Sequence, residues 1–172
     1  MTAKDTDNKH KYTQAERKKV YKLKPVKVKN TPEIPRKKTK AAARIRKNII
    51  STHIQSIYGT VYCPELDADV AFNKTVSNVE TRYRASGSRK STLLAVNIEA
   101  LIPHAVKLYE GPAKANGQQK EFCRMHVLIA AVRGVGYAKI TIGEYADSSL
   151  SKAPYCHYCV TGISLRQLKN KK

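Results

Sequence analysis

Between residues 120 and 165 apolar and polar positions alternate at a period near two, in three blocks: "KEFCRMHVLIAAV", "GYAKITIGEY" and "PYCHYCVTGISL". Successive side chains of a strand point to opposite faces, so this spacing predicts three strands joined by short turns. Upstream, "SIYGTVYC" and "ADVAFN" flank the turn sequence "PELD" and predict a β-hairpin. The period then changes in "SRKSTLLAVNIEALI". Leu94, Ile98, Leu101 and Ile102 recur at three-to-four spacing there, as expected of a helix with one apolar face, closed by Pro103. "HAVKLYE" adds a short strand and "GPAKANGQQ" a loop rich in Gly and Pro. This order of elements predicts an α+β domain over residues 49–168, an antiparallel β-sheet with a helix packed on one face. Residues 169–172, "KNKK", form a basic stub.

Before Ile49 the pattern is different. "VYKLKPVKVKN" alternates like a strand, but its Lys density and Pro25 point to an extended, solvated segment. "TPEIPRKK" is punctuated by proline as linkers are, and "KTKAAARIRKNII" predicts a short basic helix. Residues 1–48 are therefore expected to be a disordered cationic arm and linker. Charge strengthens that expectation: these residues hold 17 Lys+Arg and 4 Asp+Glu, or 17 − 4 = +13 of the formal +20 of the 172-residue chain. A cationic arm on a mildly basic body is the footprint of a polyanion binder. Nucleic acid, RNA favoured over DNA, is the expected partner, gripped by Lys18, Lys19, Arg36, Lys37, Lys38, Arg44 and Arg46. The chain lacks the apolar leader of a secreted protein and any run of about 20 apolar residues, so a soluble, cytoplasmic protein with reduced thiols is expected, with no membrane contact.

"CRMH" and "CHYC" pair sulfur with imidazole or sulfur at i, i+3, raising the question of metal. A structural zinc needs four ligands converging on one point, whereas i and i+3 on a strand face opposite ways. Zinc knuckles recruit Gly or Pro, which both stretches lack. Cys123, His126, Cys156 and Cys159 stay open as the alternative ligand set; otherwise no cofactor is expected.

On the strand reading, parity assigns Cys123, Met125, Val127 and Ile129, with Ala138, Ile140 and Ile142, and with Cys156, Tyr158 and Val160, to the packed face. The opposite face then gathers Arg124, His126, Lys139 and His157 beside Tyr137 and Thr161. Metal-independent RNA cleavage needs a group to take the 2′-hydroxyl proton, a group to protonate the leaving 5′-oxygen and a cation to offset phosphate charge. Imidazole suits the proton transfers. The same face would equally serve as a phosphate-gripping surface without turnover. A second cluster, "ETRYRASGSRKS", sets Arg82, Arg84, Arg89 and Lys90 around Tyr83 and Gly87, residues able to clamp phosphates and stack a base.

The succession of hairpin, "IPHAVKLYE", "EFCRMHVLIA" and "KITIGEY" resembles the barnase–EndoU–colicin–RelE-like nuclease superfamily, closest to the large polyvalent protein-associated domain of phages and conjugative elements. The resemblance covers roughly residues 55–165. It implies a barnase/RelE-like fold and a phage- or mobile-element-type protein that acts on RNA, either as a metal-independent endoribonuclease or as a non-catalytic relative. A structural component of a virion or ribonucleoprotein is the rival reading. The better-known ribonucleases of the group use a glutamate base, and parity places none on the basic face: Glu121 falls on the other side and Glu144 at a strand end.

Overall fold

The structure, a computed structural model, describes residues 10–147, 149 and 153–169. Helix α1 (Gln14–Tyr21) starts at Thr13, whose hydroxyl accepts from Glu16 N while the Glu16 carboxylate accepts from Thr13 N, a reciprocal capping box. Helix α2 (Lys40–Ser56) is capped by Thr39. The expected hairpin follows as β1 (Gly59–Cys63) and β2 (Ala68–Phe72). A π-helical turn (Lys74–Asn78) then leads into α3 (Val79–Ala85) and α4 (Arg89–Ala95). After α5 (Ile98–Leu101) and the 3₁₀ turn Ile102–His104 come β3 (Val106–Pro112), β4 (Phe122–Val132), β5 (Gly136–Tyr145), β6 (Tyr155–Ile163) and the short α6 (Leu165–Leu168).

The single helix expected over residues 88–102 is broken at Asn97. Its amide donates to Leu93 O (2.8 Å) and Lys29 O (3.3 Å) and accepts from Lys29 N (3.2 Å), so the side chain bonds backbone groups of α4 and of the N-terminal segment.

The sheet runs β1-β2-β6-β5-β4-β3. It is mixed rather than antiparallel as expected, because β2 and β6 run parallel through Val70–Tyr155 and Ala71–Cys156. Beyond Cys156 the edge of β6 is met by helical segments instead: Ser77 Oγ donates to His157 O at 2.7 Å, and Gly162 N donates to Ser91 Oγ at 3.1 Å. β1 and β3 lie at opposite edges, yet Lys107 N on β3 donates to Glu65 in the β1–β2 turn at 3.1 Å. The sheet is therefore curled back on itself.

Both faces are covered. On the inner face Leu128, Ala130, Val132, Ala138, Ile140, Ile142 and Val160 pack against Ile50, Ile54, Leu94, Ile98 and Leu101. On the outer face Ile129, Ile163 and Leu108 lie under Tyr12, Val20 and Leu168. Next to them Met125, Cys156 and Cys159 pack with Phe122, Tyr145, Tyr158 and Val76.

Two sequence expectations change here. The parity set Met125, Val127 and Ile129 is buried, but on the outer face, while its supposed solvent partner Leu128 enters the helix-packed core. And the segment before Ile49 is not a free arm from residue 10 onward. Tyr12, Val20 and Ile34 are buried, at 6%, 1% and 2% exposure, and Val26 exchanges backbone hydrogen bonds with Ala131 and Arg133. Each such Val or Ile contributes about 1.5–3 kcal/mol on burial, enough to order a lysine-rich stretch with few apolar residues. Residues 1–9 lie outside the described residues.

Candidate functional site

Across the inner face, cross-strand pairing sets Glu110 of β3, His126 of β4, Ile142 of β5 and His157 of β6 on one rung. The next rung carries Arg124, Glu144 and Tyr155. Directly opposed residues of neighbouring strands share a face, so these side chains lie together on the inner face toward the start of β4. His126, only 4% exposed, is held between two carboxylates. Its Nε2 lies 2.9 Å from Glu144 Oε2, and its Nδ1 lies 3.3 Å from Glu110 Oε2, close enough for ion pairing but off the line of a hydrogen bond. Tyr155 meets the imidazole edge-on at 5.5 Å.

Glu110 is the hub of the charged rim. It accepts from Lys107 Nζ and from Arg124 Nη1 at 3.1 Å. The bonded Lys107 ammonium, then its charge and those of His126 and Arg124, hold this carboxyl below its usual range, so Glu110 stays ionised through mild acid. Burial, and after it the charges of Glu144 and Glu110, push the Tyr155 phenol up, so it remains a hydroxyl donor. Arg124 is largely exposed, with 59% of its side chain open to solvent, and Glu144 is one-third exposed at 34%. The cluster thus brings together a guanidinium, an ammonium, two carboxylates, an imidazole and a phenol.

The structure rearranges the expected site. Arg124, His126 and His157 do share a face, but it is the inner one. His157 is fully buried two strands from His126, stacked on Phe72 at 4.9 Å, with Ile142 between the two rings. Burial pushes its imidazole down to about 3, so it is neutral near neutral pH. Lys139, paired with Ile129 and Thr161, belongs to the outer face and is buried at 6%. A single open face bearing all four residues is not formed. Regular β4–β5 pairing is what separates Lys139, since it sets Ile129 opposite Lys139 and His126 opposite Ile142. The register shift between Thr141 and Ile142 makes Tyr158 a bulge and turns His157 inward, onto the face of His126 but into the core.

Glu110, Lys107 and Tyr155 escaped the sequence reading, and Glu144, set aside there as lying at a strand end, shares the face of His126. Their signal was available only as a cross-strand pattern: an acid opposite a histidine on β3–β4 and an arginine opposite an acid on β4–β5.

The alternative ligands do not come together. Cys123 is exposed, Cys156 is buried on the outer face with Asn73 and Ser77 on its sulfur, and His126 is inward. Among the described residues no three His, Cys, Asp or Glu side chains are arranged to hold a metal ion. No described helix is long and apolar enough to cross a membrane.

The expected nucleic-acid contacts divide into two groups. Arg46 is a structural residue. It is 2% exposed and donates to Ser86 O (2.6 Å), Pro35 O (3.0 Å) and Lys37 O (2.8 Å). Arg84 is likewise engaged, paired with Glu80 at 3.0 Å and lying 5.2 Å over the Tyr158 ring. Lys18, Lys19, Lys37 and Lys38 are exposed. Arg44 and Arg82 line a groove of about 450 Å³ with Lys47 and Tyr83, and that tyrosine is 61% exposed. Arg36, Arg89 and Lys90 line a different groove, of about 640 Å³. The "ETRYRASGSRKS" cluster is thus split between two surfaces.

Comparison with protein-family models, with characterised proteins and with solved structures finds no match for this chain.

Proposed function

We propose that the protein is a metal-independent endoribonuclease of the barnase/RelE-like kind, of phage or mobile-element type and acting inside the host cell. The observation that carries this reading is the packing of His126 between Glu110 and Glu144 beside Arg124, Lys107 and Tyr155, on a chain of net charge +20. The missing base of the sequence reading is Glu144. Its carboxylate takes the proton from a ribose 2′-hydroxyl, and that oxygen forms a bond to phosphorus. The bond from phosphorus to the 5′-oxygen breaks, and the leaving oxygen takes a proton from the His126 imidazolium. The products are a 2′,3′-cyclic phosphate and a 5′-hydroxyl. Arg124 and Lys107 offset the charge that grows on the phosphoryl oxygens, and the Tyr155 hydroxyl donates to one of them. Glu110 positions Arg124, Lys107 and the imidazole.

The test is cleavage of single-stranded RNA in excess chelator. His126→Ala and Glu144→Gln should each lower the rate by about 10²–10⁴-fold, the range for removal of a general acid or base, with the cyclic phosphate as product. Undiminished cleavage by both variants would remove the site. Binding of RNA without turnover by the unaltered protein would favour the non-catalytic, structural or assembly role instead.

A further inference from the structure

We infer that the groove lined by Arg36, Arg89, Lys90 and Arg133 is a second, separate binding site for the sugar–phosphate backbone of a single-stranded nucleic acid. The inference rests on the reading of the protein as an RNA-acting one and adds to it the place where the strand is held away from the reacting phosphate.

Four cations reach this groove of about 640 Å³ from three distant stretches of chain: the N-terminal linker, the start of α4 and the β4–β5 turn. No carboxylate lines it, so nothing on its walls neutralises the charge. The fold anchors the chain at these positions and holds two of the four side chains, Arg89 and Lys90, directly. The backbone of Arg133 is anchored by its N–H, which donates to Val26 O at 2.9 Å, and the backbone around Arg36 by Arg46, which donates to Pro35 O and Lys37 O. Asn30 accepts from Arg89 Nη2 at 3.0 Å. The Lys90 stem lies along β5 and β6 where both are glycine: a Cβ at Gly162 would stand 3.0 Å from Lys90 Cε, and one at Gly136 would stand 3.2 Å from its Nζ. The two glycines give the lysine a track across the sheet into the groove. Guanidinium forks suit phosphate oxygens, and the held Arg89 and Lys90 side chains lose little freedom on binding. The groove contains no aromatic ring, so it holds backbone and not bases.

Its position matters. Arg124 in the reactive cluster and Arg133 in the groove bracket β4, nine residues apart, or about 30 Å at ~3.4 Å per residue. One strand of RNA several nucleotides long would reach both.

The experiment measures binding of a 2′-O-methyl RNA 20-mer, which cannot be cleaved by attack of its own 2′-oxygen, by fluorescence anisotropy across a salt series. The protein is compared with Arg36→Ser/Arg133→Ser and with a control that removes equal charge elsewhere, Lys74→Ser/Lys120→Ser; all four positions are exposed. The groove variant should bind at least tenfold more weakly. Its slope of log K against log salt should flatten by about 1.4, two phosphate contacts at ~0.7 each on a single strand, while the control changes less than threefold. Equal losses in the two variants, no loss in either, or no binding by the unaltered protein overturns the site. Because the probe is inert, this outcome is independent of cleavage: a lost groove effect with intact turnover leaves the ribonuclease reading standing, and the converse leaves the groove standing.

Discussion

Replacing His157 by phenylalanine should alter the response of the protein to acid. The native imidazole is fully buried, stacked on Phe72, and neither ring nitrogen has a hydrogen-bond partner in good geometry. Burial pushes it down to about 3, with a Cys159 backbone group opposing only weakly. The neighbouring acid–base groups on this face are His126, one strand beyond Ile142, and the Glu144–Tyr155 pair on the next rung. In the unfolded chain the same ring titrates near 6.5. Between those two values the unfolded state binds a proton that the native state refuses, so stability falls as the pH drops below about 6.5 and the loss levels off near 3. At ~1.4 kcal/mol per unit, the loss at pH 5 is about 2 kcal/mol, and over the whole interval about 5 kcal/mol. Phenylalanine has a similar shape and cannot titrate. The assay is urea denaturation of both proteins at several pH values from 8 to 5. Every other titrating group is common to both, so the difference between the two stability curves should swing by about 2 kcal/mol toward the variant as the pH falls. Parallel curves would refute the argument.

Other outcomes follow from packing. A methyl group at Gly143 would meet the Phe122 ring at 2.6 Å, so Gly143→Ala should cost about 1–3 kcal/mol of overpacking, read as a lowered melting temperature. Arg46→Ala leaves the carbonyls of Pro35, Lys37 and Ser86 without their donor and should cost about 3 kcal/mol or more in denaturant titration. Arg46→Lys should recover little of it, since one ammonium cannot reproduce the spread of the guanidinium fork.

The hairpin, the succession of strands after it and the apolar helical face at Leu94 and Ile98 were legible because each rests on local periodicity, though that face is carried by two helices rather than the one expected. What periodicity does not contain is which face is covered. Alternation on β4 marks two sets of residues, and here both are buried, one under α4 and α5 and the other under α1. Nor does it contain bulges. A single extra residue at Tyr158 exchanges inside for outside, and with it the role of His157. The N-terminal segment was misread for a related reason: Tyr12 and Val20 are isolated among polar and charged residues, and their burial depends on a sheet built from residues more than 70 positions away. The carboxylates around His126 became visible only as partners across strands, where each looks ordinary on its own.

The covering of the outer face by α1 ties two properties to one stretch of chain. Lys18 and Lys19 project from the same turns that seat Val20 over Ile129, and His10 stacks on Tyr109 of the edge strand at 3.5 Å. A fragment trimmed to begin at Ile49 would discard 13 of the 20 net positive charges and at the same time remove Tyr12 and Val20 from the outer face, leaving Leu168 as the remaining cover over Leu108, Ile129 and Ile163 and opening them to self-association. Loss of polyanion affinity in such a fragment would therefore report a damaged scaffold as much as missing cations.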